Sequence, residues 1–186
     1  MAVVAAVLQY FVAMLPARAR IEVTRTYLEL RAPDELRRSR APAGEVSLER
    51  RRPISGDDYL ALYRFIGGPW HWRDRLAWPV EQLRAHLGSP GVHVWVLMVS
   101  GEAAGYFELQ ARGDATEIMY FGLASDFIGR GLGGWLLTRA VEEAFTLADA
   151  PVVLNTCTLD GPHAMANYLA RGFRIVRSEE YTTELP

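Results

Sequence analysis

The chain has 186 residues, enough for one domain and too few for two of ordinary size. Half of its residues are hydrophobic, 11% are aromatic and 23% are charged, a composition that builds a core and excludes a disordered chain. A formal net charge of -2 removes the strongly basic field that non-specific binding to nucleic acid or an anionic membrane needs.

The charge is uneven: residues 1 to 52 hold ten arginines against six acids, so the rest of the chain is acidic. All 20 basic residues are arginine. Without lysine there is no phosphate-gripping P-loop lysine, no kinase strand lysine and no Schiff-base chemistry. The single cysteine, Cys157, excludes an internal disulfide, and His71, His86, His93 and His163 lack metal-ligand spacing. These features predict no metal and fit a reducing cytoplasm.

Met1 to Leu15 is almost wholly apolar before Pro16 and Arg18. No positive residue precedes the run, and it falls short of the ~20 residues that span a bilayer. Residues 1–18 are therefore read as a short apolar extension with no stable membrane span, packed or partly disordered; a cleaved signal and a membrane-surface anchor stay open. Residues 19–186 are read as one domain.

Arg20 to Leu30 alternates as a strand does, Arg31 to Gly44 is a Pro- and Arg-rich surface connection, and Val46 to Arg50 reads as another short strand. Ser55 caps a helix, Asp58 takes the capping-box position, and Gly67 and Gly68 end it. The next loop gathers Trp70, Trp72 and Trp78 before a short helix over Glu81 to Leu87. Aromatic side chains there anchor the loop to the core, line a ligand cleft, or do both.

Val92 to Val99, Ala103 to Ala111 and Glu117 to Leu123 are joined by turns at Ser100-Gly101-Glu102 and Arg112-Gly113-Asp114, which makes an antiparallel meander. From Gly131 the apolar spacing turns helical through Ala148. A strand (Val152 to Thr158), a helix (Pro162 to Arg171) and a closing strand from Phe173 follow. The fold class is α/β in the α+β sense: a single mixed, largely antiparallel central sheet with flanking helices.

The segment from Phe121 to Gly134, FGLASDFIGRGLGG, runs from a strand through a glycine-dense loop into a helix. Glycines let backbone approach a ligand, and the first helical turn presents unpaired N–H groups to an anion, so this is a phosphate cradle. Gly129, Gly131 and Gly134 also satisfy the dinucleotide fingerprint. That match is weak, because five residues separate the strand from the first glycine and the preceding strands are antiparallel.

The segment resembles the GNAT superfamily of acyl-CoA-dependent N-acyltransferases, and the resemblance covers about Ala103 to Val176. The family's loop pattern, Arg or Gln, two residues, Gly, one residue, Gly or Ala, falls on Ile128, Gly131 and Gly133. Ile128 departs from it by removing one side-chain contact, and Arg130 is the candidate replacement charge. Tyr168, three residues on to Gly172-Phe173, resembles the family's late-helix signature; Gly161 stands where the family often has Asn.

The resemblance implies a splayed central strand pair that receives the pantetheine arm of acetyl-CoA as acyl donor. It implies cofactor contacts from Phe121, Gly122, Leu123, Ile128, Gly129, Arg130, Gly131, Leu132, Gly133 and Gly134, with the N–H near Leu123 polarising the thioester carbonyl. Glu117 has the spacing of the family's catalytic glutamate; flanked by Ile118 and Met119 it is expected to be a partly desolvated base, or else a solvent-facing strand residue. Tyr168 is the expected proton donor to the thiolate, or a core tyrosine. Trp70, Trp72 and Asp74 suit a cationic amine, small molecule or peptide. The alternative is a catalytically silent acyl-CoA-binding module. A homodimer stays open.

Overall fold

The computed structural model describes residues 19–185; the extension expected over residues 1–18 lies outside them. The alternating segment forms β1 (Ala19–Leu30), followed by β2 (Val46–Arg51), α1 (Gly56–Gly67) and α2 (Val80–Gly88). The meander is β3 (Val92–Val99), β4 (Glu102–Ala111) and β5 (Thr116–Leu123). Then come α3 (Leu132–Leu147), β6 (Val152–Cys157), α4 (Ala164–Ala170) and β7 (Arg174–Leu185). The sequence expectation of one mixed, largely antiparallel sheet with flanking helices describes this fold.

Local chemistry explains the element ends. Ser55 accepts from the Asp58 N–H at 3.0 Å and donates its hydroxyl to the Asp58 carboxylate at 2.7 Å, closing the first turn of α1. Ser100 and Gly101 both have positive φ, 49° and 83°, the geometry that joins twisted antiparallel strands through a two-residue turn.

The seven strands lie in the order β2-β3-β4-β5-β6-β1-β7. The first strand is thus internal, antiparallel to β6 on one side and to β7 on the other. Only β5 and β6 are parallel, and they pair at two positions, Thr116 with Val152 and Glu117 with Val153, before diverging. One face of the sheet carries α1, whose Ile66 approaches Gly122; the opposite face carries α3, whose Leu136 approaches Gly105. Tyr59, Tyr63 and Ile66 of α1 and Leu136, Leu137, Ala140 and Val141 of α3 are buried in the core between them. The connection over residues 31–44 is less open than its composition suggests: it holds a 3-10 turn at Pro33–Glu35 and buries Leu36.

Candidate active site

The divergence of β5 from β6 opens a cavity of about 1010 Å³. Its position follows from backbone pairing. The Ala124 N–H donates to the Ala104 carbonyl on β4 at 2.9 Å. N–H direction alternates along a strand, so Phe121 and Leu123 turn theirs toward β6, which has already left the ladder. Met119 adds an extra residue between Ile118, paired with Leu109, and Tyr120, paired with Glu108. This bulge brings Ile118, Met119 and Tyr120 all to the cavity wall.

At one end the glycine turn meets α3. Gly131 caps the helix with φ of 76°, a left-handed conformation that a side chain resists, and the space where its Cβ would stand is open. Phe121, Gly122, Leu123, Ile128, Gly129, Gly131, Gly133 and Gly134 line the cavity. Two of the expected cofactor residues do not. Leu132, the first residue of α3, turns into the core at 3% exposure, and Arg130 stacks its guanidinium over the Phe127 ring at 4.9 Å. Gly134 answers to a packing need as well, since a Cβ there would collide with the Arg171 guanidinium and stand 2.9 Å from the Ser39 hydroxyl.

Tyr168 lines the cavity from α4, its ring 6.1 Å from Phe121 and 6.2 Å from Phe173. Burial pushes its phenol well above the ordinary range, and the Asp160 charge adds to that. Asp160 is itself committed: its carboxylate accepts from the Thr156 hydroxyl at 2.5 Å and the Cys157 N–H at 2.9 Å, tying off the turn after β6. Asn167 bridges the helices by donating to the Gly133 carbonyl at 3.2 Å.

The aromatic loop forms the opposite wall. Tyr63, Trp70, Trp72, Asp74 and Tyr120 all line it. Trp72 packs 5.6 Å from Tyr63 and 5.0 Å from Tyr120, and Tyr63 lies 5.0 Å from Tyr120. The Trp70 ring crosses to the far side, where it occupies the space a side chain at Gly161 would take, 3.3 Å from that Cβ position. A side chain at position 161 would press on the tryptophan ring. Trp78 instead serves as an anchor, with the Arg75 guanidinium 3.9 Å above its ring. Trp70 and Trp72 thus line the cavity, and Trp78 anchors the loop.

Glu117, like Leu132 and Arg130, is an expected site residue that does not line the cavity. Its carboxylate pairs with Arg112 at 2.8 Å, and it is absent from the lining. The Glu117 side chain is 19% exposed, so it is partly desolvated, and Arg112, in the turn between β4 and β5, folds back onto it. Among the described residues no group of three or more His, Cys, Asp and Glu could hold a metal ion, and no helix is long and apolar enough to cross a membrane.

Residues the sequence reading missed complete the site. Arg25, Asn155, Cys157, Tyr181 and Thr183 form a polar wall from β1, β6 and β7. Behind the aromatic wall, Glu108 is fully buried and accepts hydrogen bonds from Arg75 at 3.1 Å and Tyr59 at 2.5 Å, with His86 Nε2 at 2.8 Å. Burial pushes this carboxyl up, but the His86 contact, the Arg75 charge and the Tyr59 hydroxyl outweigh it and leave it below the usual carboxylate range. The one available signal was an acid inside an otherwise apolar strand, AAGYFELQA.

A model of the acetyltransferase (GNAT) family matches residues 59–173, more than half of the chain. The chain belongs to the GNAT acetyltransferase family. Its fold is similar to a GCN5-related N-acetyltransferase from Kribbella flavida, with a TM-score of 0.60 and 18% identity over 96% of this chain and 63% of that one. It is also similar to a tandem GNAT protein from the clavulanic acid biosynthesis pathway, with a TM-score of 0.60 and 19% identity over 95% of this chain and 57% of that one. An aminoglycoside acetyltransferase from an uncultured soil metagenomic sample shares the fold over 68% of this chain and 86% of that one, with a TM-score of 0.55 and 15% identity. The chain spans 63% and 65% of the length of two of the solved structures it matches, and between half and three fifths of several others. No curated protein matches it. β1 and β7 lie outside the residues that the family model matches, whereas β6, with Asn155 and Cys157, lies inside them.

Proposed function

We propose that this GNAT domain transfers the acetyl group of acetyl-CoA to a primary amine by direct attack in the β5–β6 cavity. The observation that carries the reading is that a glycine turn capping α3, an unpaired edge of β5 and Tyr168 all border one cavity. Each answers a need of the reaction. Anionic phosphates need backbone N–H groups, a thioester carbonyl needs a donor, and a departing thiolate needs a proton.

The Gly129 to Gly134 turn binds the pyrophosphate, and the N–H groups of Phe121 and Leu123 receive the pantetheine arm and polarise the carbonyl. The amine nitrogen forms its bond to the acetyl carbon as the carbon–sulfur bond breaks. Tyr168, whose raised phenol keeps its proton, gives that proton to the sulfur and is restored by the second proton that the attacking nitrogen sheds as the amide forms. The ammonium form of the acceptor binds on the aromatic wall beside Asp74, the carboxylate there, and loses its proton to Asp74 or through it to water. Glu117, neutralised by Arg112 and off the cavity, is not the base in this reading.

The test is release of free thiol from acetyl-CoA with a panel of primary amines, with the acetylated product identified by mass. Amine-dependent release supports transfer. Binding of acetyl-CoA without release to any amine favours the silent binding module.

A further inference from the structure

We propose that the amine accepted by this cavity carries a carboxylate, as an amino acid does, and that Arg25 on β1 receives it. The proposal rests on the acetyl-transfer reading and names the acceptor class of the same site.

Arg25 stands opposite Cys157 on β6 and Glu179 on β7, and its side chain reaches the cavity. Its coordination is slack. Nη2 is 3.4 Å from the Tyr181 hydroxyl, Nη1 is 3.9 Å from Glu179, and the buried Nε has no partner. The cross-strand carboxylate is already taken: Glu179 accepts from the Tyr27 hydroxyl at 2.6 Å and from Arg177 at 2.8 Å. A guanidinium fork held so loosely at a cavity wall keeps donors for a planar, two-oxygen acceptor, and a carboxylate is that acceptor.

The charges around the cavity agree. Asp160 is committed to Thr156 and Cys157, and Glu184 pairs with Arg20 at 3.6 Å. Arg25, Arg73 and Asp74 are the other charged side chains on the wall among the described residues. One acid beside two arginines matches a zwitterion, ammonium toward Asp74 and carboxylate toward Arg25, whereas a purely cationic amine meets the repulsion of both arginines. Arg25 lies on the strand next to β6, ~5 Å from it, and its guanidinium sits 4.9 Å from the Tyr181 ring, where it lines the cavity.

The experiment compares kcat/KM for phenylalanine, phenylalanine methyl ester and 2-phenylethylamine, which share an amine and a ring and differ in the carboxylate. Wild type should favour phenylalanine over both by at least ~10-fold, the scale of a charged hydrogen-bonded contact, and the preference should shrink as salt rises. In Arg25→Met the ratio should collapse toward one, and Arg25→Lys, which keeps charge without the fork, should fall between; acetyl-CoA affinity by calorimetry reports that each variant is folded. Equal use of the three acceptors by wild type, which needs no variant, overturns the proposal, as does a ratio that survives Arg25→Met in folded protein. If amines turn over without carboxylate preference, this proposal alone fails. If acetyl-CoA does not bind and no amine releases thiol, the acetyl-transfer reading fails and this proposal with it.

Discussion

The Arg75 guanidinium lies 3.1 Å from the Glu108 carboxylate, with the two side chains 5% and 0% exposed. Arg75 belongs to the same loop as Trp70, Trp72 and Asp74, so this buried pair fastens the aromatic wall of the cavity to β4. His86 shares Oε1 with Arg75, and the Tyr59 hydroxyl donates to Oε2. Removing one partner leaves a buried charge alone. Glu108→Ala should therefore cost about 3 to 5 kcal/mol in chemical denaturation, far more than loss of an exposed pair such as Arg20–Glu184.

The same pair sets an acid limit. The Glu108 carboxyl is held below its ordinary value in the folded chain, so the unfolded chain takes up the proton first. Its contribution is complete above ~4.3, the ordinary glutamate value, and is lost as pH falls through the lower folded value. The Tm gap between wild type and Glu108→Gln should be steady from pH 7 to 5 and narrow below about pH 4. A gap that ignores pH would show that the charge on Glu108 contributes nothing.

Asp74 and Glu117 make opposite predictions. Asp74 lines the cavity and Glu117 is tied to Arg112 outside it. Asp74→Asn should lower kcat/KM for the amine by ~10² while Glu117→Gln changes it by less than ~3-fold, acetyl-CoA affinity holding in both. The reverse ranking would return the base role to Glu117.

Tyr168→Phe keeps the ring against Phe121 and Phe173 and removes the proton. Turnover should fall by ~10 to 10³ with acetyl-CoA affinity little changed. Because burial and the Asp160 charge raise this phenol, it holds its proton past the ordinary tyrosine value of ~10, and kcat should show no alkaline loss below that pH from this group. A normal rate in the folded variant would make Tyr168 a packing residue.

The elements were legible because their signals are local. Apolar alternation marked β1 and the meander, Ser55 and Asp58 marked the start of α1, and the glycine run marked the turn into α3. What escaped depends on contacts between distant segments. Nothing in residues 19 to 30 says that β1 inserts between β6 and β7, so the route by which Arg25 reaches the cavity was hidden. Glu117 had the right spacing, but its pairing with Arg112 is a matter of how the β4–β5 turn folds. Trp70 and Gly161 were each noticed alone, and only the fold shows that the ring lies against the glycine.

The central claim is that acetyl-CoA sits with its phosphates on the glycine turn and gives its acetyl group to an amine in the β5–β6 cavity. Gly131 is the residue to change, because at φ of 76° with open space beyond it a valine is strained and fills the approach to the turn. The measurement is amine-dependent thiol release from acetyl-CoA by wild type and Gly131→Val, with circular dichroism recording that both are folded. Wild type should release thiol only when acetyl-CoA and an amine are both present, and the folded variant should lose that activity at least 10²-fold through lost acetyl-CoA affinity. Undiminished release by Gly131→Val, or no release by wild type with any amine, would contradict the account.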